Sequence, residues 1–123
     1  MKRILIVDDA ATVRMYHRNI LEEAGYRVSE AINGVEALEK ALQDHFDLYI
    51  VDINMPKLDG FGLLRQLRSE DIAHAPAIMV STESSTDDQA AALRAGANCY
   101  LTKPVKPEQL LTHVRVLLGE LGS

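Results

Sequence analysis

Two adjacent carboxylates, Asp8 and Asp9, close the apolar run Ile4-Leu5-Ile6-Val7, and a third, Asp52, closes the run Leu48-Tyr49-Ile50-Val51. Ser81-Thr82 follows a third run, Ala77-Ile78-Met79-Val80, and Lys103-Pro104 comes just after Cys99-Tyr100-Leu101. Carboxylates gathered in one place repel one another and raise their own pKa values unless a cation joins them. A few hard oxygen ligands with room for water suit Mg²⁺. A carboxylate is also a nucleophile that forms acyl phosphates, and a divalent ion with a lysine ammonium neutralises the charge on a transferring phosphoryl group. Taken together, these residue types make a phosphoryl-transfer set. Taken singly, each has an ordinary reading: a solvated helix start for Asp8-Asp9, a strand cap for Asp52, a turn for Ser81, a plain loop for Lys103-Pro104. The chemistry depends on whether one edge of the fold collects them.

The elements that must do so alternate along the chain. The runs 4–7 and 48–51 are continuously apolar and bounded by charge, as strands buried on both faces are. Tyr26 to Glu30, 77–80 and 99–101 read as three further strands. Between them lie helical spacings. Val13, Tyr16, Ile20 and Ala24 mark the first helix, stopped by Gly25. Asn33 caps a second helix carrying Val35, Leu38, Ala41 and Leu42. The turn-rich stretch 54–60 leads to a third helix with Phe61, Leu64 and Leu67 on one face. Thr86 and Gln89 have capping-box spacing for a fourth helix carrying Ala90 and Leu93, stopped by Gly96. Pro107 opens a fifth, carrying Leu110, Leu111, Val114, Leu117 and Leu118.

Five strand–helix units imply a parallel sheet covered on both faces, with right-handed crossovers. The expected fold is α/β, a doubly wound (βα)₅ sheet in the order 2-1-3-4-5, because a single-sided winding would leave one face bare and at least three strands look apolar on both. In that order the first and third strands are neighbours whose connections leave to opposite sides, and a crevice opens at their carboxyl ends. Asp8, Asp9 and Asp52 meet there, and Ser81 and Lys103 lie along the same edge.

The 123 residues fit one domain, read here as a single unit over 1–123 with no output domain. A formal net charge of −5 argues against a nucleic-acid binder. Cys99 is the one cysteine, so an internal disulfide is excluded and a reducing cytoplasm is the expected setting. No apolar run is long enough for a membrane span or a signal segment. His17, His45, His74 and His113 show no metal-ligand spacing and are expected at surface or boundary positions.

With these motifs in order, the chain resembles the response-regulator receiver family, in particular its single-domain CheY-like members. The resemblance runs from Lys2 to about Leu118. It is carried by Ile6-Val7-Asp8-Asp9, Val51-Asp52-Ile53-Asn54-Met55-Pro56, Asp59-Gly60, Val80-Ser81-Thr82, Ala95-Gly96-Ala97, and Tyr100 ahead of Lys103-Pro104. It implies that Asp52 is the phosphoacceptor. Asp9 would ligate Mg²⁺ directly, Asp8 through water, and the backbone carbonyl of Asn54 would complete the protein ligands. Ser81 would be the switch hydroxyl, Tyr100 the aromatic that rotates inward behind it, and Lys103 the phosphate-pairing ammonium, with a cis Lys103-Pro104 bond. Asn54 and Glu83 would tune how long the phosphate lasts, as in chemotaxis-type members. Two positions depart from the pattern. Thr82 stands where a small residue is common and narrows access to Asp52; Val105 stands where Phe is frequent.

The resemblance implies a signalling protein rather than an enzyme. A sensor histidine kinase or a histidine phosphotransfer domain supplies the phosphoryl group. A downstream protein then reads the face built from the fourth helix, fifth strand and fifth helix. A flagellar motor switch is the first expectation for that target, and a shuttle or sink in a multistep phosphorelay is the second; a monomer is expected. A flavodoxin-like FMN binder shares the fold but needs a Ser/Thr/Gly phosphate cradle after the first strand, where Asp8-Asp9-Ala10-Ala11 stands. A haloacid-type phosphatase needs a second Asp two positions after its nucleophile, a spacing Asp8-Asp9 lacks. A scaffold without chemistry predicts no phosphorylation at all.

Overall fold

The computed structural model describes residues 1–70, 74–82 and 85–120 of the chain. Its elements alternate throughout: β1 (Arg3–Val7), α1 (Ala11–Glu23), β2 (Arg27–Ala31), α2 (Gly34–Gln43), β3 (Leu48–Asp52), α3 (Gly60–Ser69), β4 (Ala77–Ser81), α4 (Thr86–Ala95), β5 (Cys99–Thr102) and α5 (Pro107–Leu117). All strand pairs are parallel, in the order β2-β1-β3-β4-β5. The expected fold is the one observed.

Alternation along each strand sends side chains to two separate cores. Ile4, Ile6, Leu48, Ile50, Ile78 and Val80 pack with Leu21, Leu110 and Val114 of α1 and α5. Leu5, Val7, Tyr49, Val51, Ala77 and Met79 pack with Ala37, Leu63, Leu67 and Ala92 of α2, α3 and α4. β3 and β4 are buried at every position, which is why their sequences run apolar without alternation. No helix among the described residues is long and apolar enough to cross a membrane.

Three helices turn a different face to the sheet from the one their largest apolar residues suggest. α1 buries His17 and Leu21, while Tyr16 is 43% exposed. α2 buries Gly34, Ala37 and Ala41, leaving Val35 and Leu42 outside; α4 buries Ala92 and Ala95, leaving Leu93 outside. Close approach explains α2: a Cβ on Gly34 would lie 2.3 Å from the carbonyl oxygen of Leu58. Small residues sit at the contact and larger ones flank it. The cap of α4 also sits one residue earlier than the expected Thr86. Ser85 Oγ accepts from Asp88 N at 3.1 Å and donates to Asp88 Oδ2 at 2.9 Å. At α2 the cap is Asn33, whose Oδ1 accepts from Glu36 N at 2.8 Å.

Candidate functional site

β1 and β3 pair in register through Val7 and Val51, so the next residues, Asp8 and Asp52, emerge side by side at the carboxyl edge of the sheet. Asp9 joins them from the loop: one carboxylate oxygen from each of Asp8, Asp9 and Asp52 lies within 4.8 Å of the others. Asp8 and Asp52 are buried and Asp9 is exposed. Three hard oxygen donors converge there, with one side open to solvent. That donor set fits a Mg²⁺ ion, which asks for few carboxylates and keeps several waters.

The ammonium of Lys103 lies on the same cluster. Nζ donates to Asp8 Oδ2 at 2.8 Å and to Asp52 Oδ1 at 3.2 Å. Asp8 Oδ1 accepts from Ala10 N at 2.9 Å, so both oxygens of Asp8 are engaged. Burial, and after it the charge of Asp8, pushes the Asp52 carboxyl above the usual carboxylate range; the Lys103 ammonium opposes that shift. Burial alone would lower Lys103, but its bond to Asp8 and the charges of Asp52 and Asp8 outweigh burial and raise it. The ammonium is therefore held charged against the two acids.

Lys103 reaches this place because β5 delivers it beside β4: its backbone N–H donates to the carbonyl of Ser81 at 2.7 Å. The Lys103–Pro104 peptide is cis. Ser81 is buried at the end of β4 and Thr82 beyond it is exposed. Asn54 is exposed two residues past Asp52, and Tyr100 is half-buried against the core on the α4 side of the sheet. Glu83 lies outside the described residues. Asp8, Asp9, Asp52, Ser81, Thr82 and Lys103 thus share one sheet edge, whereas Tyr100 stands back along β5.

Beside Lys103 is a cavity of about 360 Å³, bounded by Val13, Tyr16 and His17 on α1 and by Thr82, Lys103 and Val105 opposite. His17 corrects the expectation that all four histidines are peripheral. It is 2% exposed, its Nδ1 has no hydrogen-bond partner among the described residues, and burial lowers its pKa. Arg14 and Arg18 on α1 are engaged within the chain. Arg14 donates to the Asp8 carbonyl at 2.7 Å and to Glu30 Oε1 at 2.8 Å, and Arg18 pairs with Glu22 and Glu30. Tyr16 Oη donates to the Val105 carbonyl at 2.9 Å. Nothing local in the sequence marks that contact, because its partners are 89 residues apart.

Comparison with known proteins agrees with this geometry. A family model described as the response regulator receiver domain matches residues 4–115. The transcriptional regulatory protein PrrA of Mycobacterium tuberculosis is 40% identical over 121 residues, which are 98% of this chain and 52% of that protein. The chain spans about half the length of the curated relatives it matches. Among solved structures, the Vibrio cholerae chemotaxis protein CheY4 superposes with a TM-score of 0.90 at 36% identity, covering 95% of this chain and 98% of that one. The receiver domain of a Pseudomonas aeruginosa sensor histidine kinase, solved with magnesium coordinated in its active-site cleft, gives 0.89 at 28% identity over 96% and 98% of the two chains.

Proposed function

The chain belongs to the response regulator receiver domain family of two-component systems, and from that premise we propose that Asp52 accepts a phosphoryl group from a phosphohistidine donor. The observation that carries this reading is the convergence of Asp8, Asp9 and Asp52 with the Lys103 ammonium laid across two of them. An Asp52 carboxylate oxygen attacks phosphorus, the phosphorus–nitrogen bond of the donor breaks, and the leaving imidazole keeps the electron pair and takes a proton. Asp8, Asp9, Asp52 and the Asn54 backbone carbonyl are the proposed holders of Mg²⁺, which when bound offsets charge on the phosphoryl oxygens. Lys103 exchanges its carboxylate contact at Asp52 for a phosphoryl oxygen. Thr82, exposed at the rim, narrows the approach.

The new acyl phosphate adds roughly −1.5 to −2 charges at the edge of β3. In this proposal Ser81, at the end of β4, is the hydroxyl that answers it, and Tyr100 on β5 is the aromatic that follows. The surface of α4, β5 and α5, where Leu93 is 60% and Val116 52% exposed, is the proposed readout. On this reading the chain is a signalling protein working inside the cell, its partners a histidine kinase or phosphotransfer domain and a downstream protein. A motor-switch target rests on Asn54 together with Glu83, with a chemotaxis protein among the structural neighbours. The PrrA relative favours service to a regulator of transcription instead. Binding of the phosphorylated chain to a motor-switch peptide, measured against a histidine phosphotransfer domain, divides a motor signal from a relay role.

The primary test is incubation with acetyl phosphate and Mg²⁺ followed by mass spectrometry. A gain of one phosphoryl group is expected in the native chain and not in Asp52→Ala or in chelator. Label arriving on another residue would overturn the assignment.

A further inference from the structure

We infer that Tyr16 is a positioning residue for Lys103, holding from α1 the loop that carries the ammonium; the inference rests on the phosphoryl-transfer reading of the site. Among the described residues, backbone atoms of the loop from β5 to α5 bond to other elements on both sides of Lys103. On its entry side the Lys103 N–H donates to the Ser81 carbonyl at 2.7 Å. On its exit side the Val105 carbonyl accepts from Tyr16 Oη at 2.9 Å. Lys103 lies between those ties, and its Nζ must reach Asp8 and Asp52 at 2.8 and 3.2 Å.

The exit side is held by the Val105 side chain, packed in the core with Leu101 and Leu110, and by the Tyr16 hydroxyl on the Val105 carbonyl, which is the tie on the α1 side. Lys106, at the N-cap of α5, makes no side-chain cap bond, and its carbonyl accepts from Leu110 N at 3.0 Å within the helix rather than reaching α1. The space between α1 and the loop is the cavity beside Lys103, so side-chain packing does not fill that gap. The hydroxyl of Tyr16 spans it. The ring lies tilted against that of buried His17, with centroids 5.5 Å apart. A tyrosine that is 43% exposed yet places its hydroxyl on the carbonyl of a residue only 1% exposed acts as a strut across the gap.

Positioning is what the ammonium needs, because misplacing a catalytic group by a fraction of an ångström costs rate without abolishing the fold. Tyr16→Phe keeps the ring and removes the donor. The expected result is a fall of about 3- to 10-fold in the rate of phosphoryl incorporation from acetyl phosphate at saturating Mg²⁺. Mg²⁺ affinity should stay the same or tighten, since a looser ammonium competes less for Asp8. In a Lys103→Ala background the same substitution should change the rate by less than about 1.5-fold, because two groups acting through one contact are not additive. An equal fold-loss in both backgrounds would mean a general structural role and would overturn the inference. ¹⁵N spectra supply a readout independent of phosphorylation: Tyr16→Phe should shift or broaden the amides of Lys103 and Val105. Unmoved signals there overturn the positioning role whatever the phosphorylation result. A native chain that takes no phosphoryl group, with those amides moving, would sink the transfer reading alone.

Discussion

Lys103 Nζ donates to Asp52 Oδ1 at 3.2 Å across 51 residues of chain, tying the end of β5 to the end of β3. The same ammonium also holds Asp8, whose side chain is 4% exposed beside 7% for Asp52. Removing it leaves two buried carboxylates facing each other, one of them already pushed upward by burial.

Lys103→Ala is therefore expected to lower stability without divalent ion by about 2 kcal/mol, less than for a fully buried pair because the lysine sits at the rim. Mg²⁺ should bind more tightly to the variant, since no ammonium competes for Asp8 Oδ2, and its stabilising effect should grow by linkage. Calorimetric titration and thermal melts with and without Mg²⁺ measure both. A Mg²⁺-induced rise in midpoint no larger than in the parent would contradict the competition.

His17 gives a pH dependence of definite sign. Burial lowers its folded pKa, opposed by Asp8 and reinforced by Lys103, while the unfolded chain titrates near the ordinary histidine value of ~6.5. The unfolded state then binds more protons once the pH falls below that value, so stability present above it is lost as the pH drops toward the folded pKa. The slope is at most about 1.4 kcal/mol per pH unit for one group. His17→Leu should flatten the pH dependence of urea-melt stability between about pH 6.5 and pH 5.5 relative to the parent, the window just below the ordinary histidine value. It should also stabilise the fold near neutrality by about 1 kcal/mol, because an unpartnered Nδ1 is removed. An unchanged slope would refute this account.

What the sequence made legible follows from the range of the forces involved. The strands are legible because burial on both faces writes itself as continuous apolar runs, and the acids because each ends such a run. The parallel order then brought Asp8 and Asp52 to one edge with no side-chain detail. Helix faces were less legible: in α2 and α4 alanine and glycine occupy the tightest contacts, and a reading weighted by hydrophobic size selects the flanks. Contacts that bind a side chain to a distant carbonyl were not legible at all. Tyr16 to Val105, Arg14 to Asp8 and Arg68 to Gly96 each depend on a backbone atom, which every residue type presents alike.

Arg68 illustrates the last class. From α3 its Nη1 donates to the Ala75 carbonyl at 2.6 Å and its Nη2 to the Gly96 carbonyl at 2.9 Å, joining three segments at the amino edge of β4 and β5. Arg68→Met keeps the stem and strands those carbonyls, at an expected cost of about 1–3 kcal/mol in denaturant melts. Phosphoryl incorporation at the opposite edge should be unaffected at 20 °C, about room temperature, where the fold survives a loss of that size. A change in transfer rate would show that the two edges are coupled.

Gly60 tests how closely α3 must approach the site. A Cβ there would lie 2.6 Å from the Asp52 carbonyl oxygen, 2.7 Å from Met79 Cε and 2.9 Å from Ile53 Cα. The methionine tip can swing away, but the other two are backbone atoms of the segment that carries Asp52. Gly60→Ala must therefore move the start of α3 away from the end of β3, loosening the bond from Gly60 N to the Ile53 carbonyl, now 3.0 Å. Overpacking of this kind costs about 1–3 kcal/mol. Because the displaced backbone belongs to Asp52, the carboxylate shifts relative to Asp8 and Asp9, and Mg²⁺ affinity should weaken several-fold, by up to about ten. Gly25→Ala is the matched control. Its φ of 98° strains any side chain, yet nothing lies within 4 Å of the added carbon and the position is remote from the acids. It should cost about 1–2 kcal/mol of stability and leave Mg²⁺ affinity alone. If the two variants weakened Mg²⁺ binding equally, the site's geometry would not depend on the packing of α3 against Asp52.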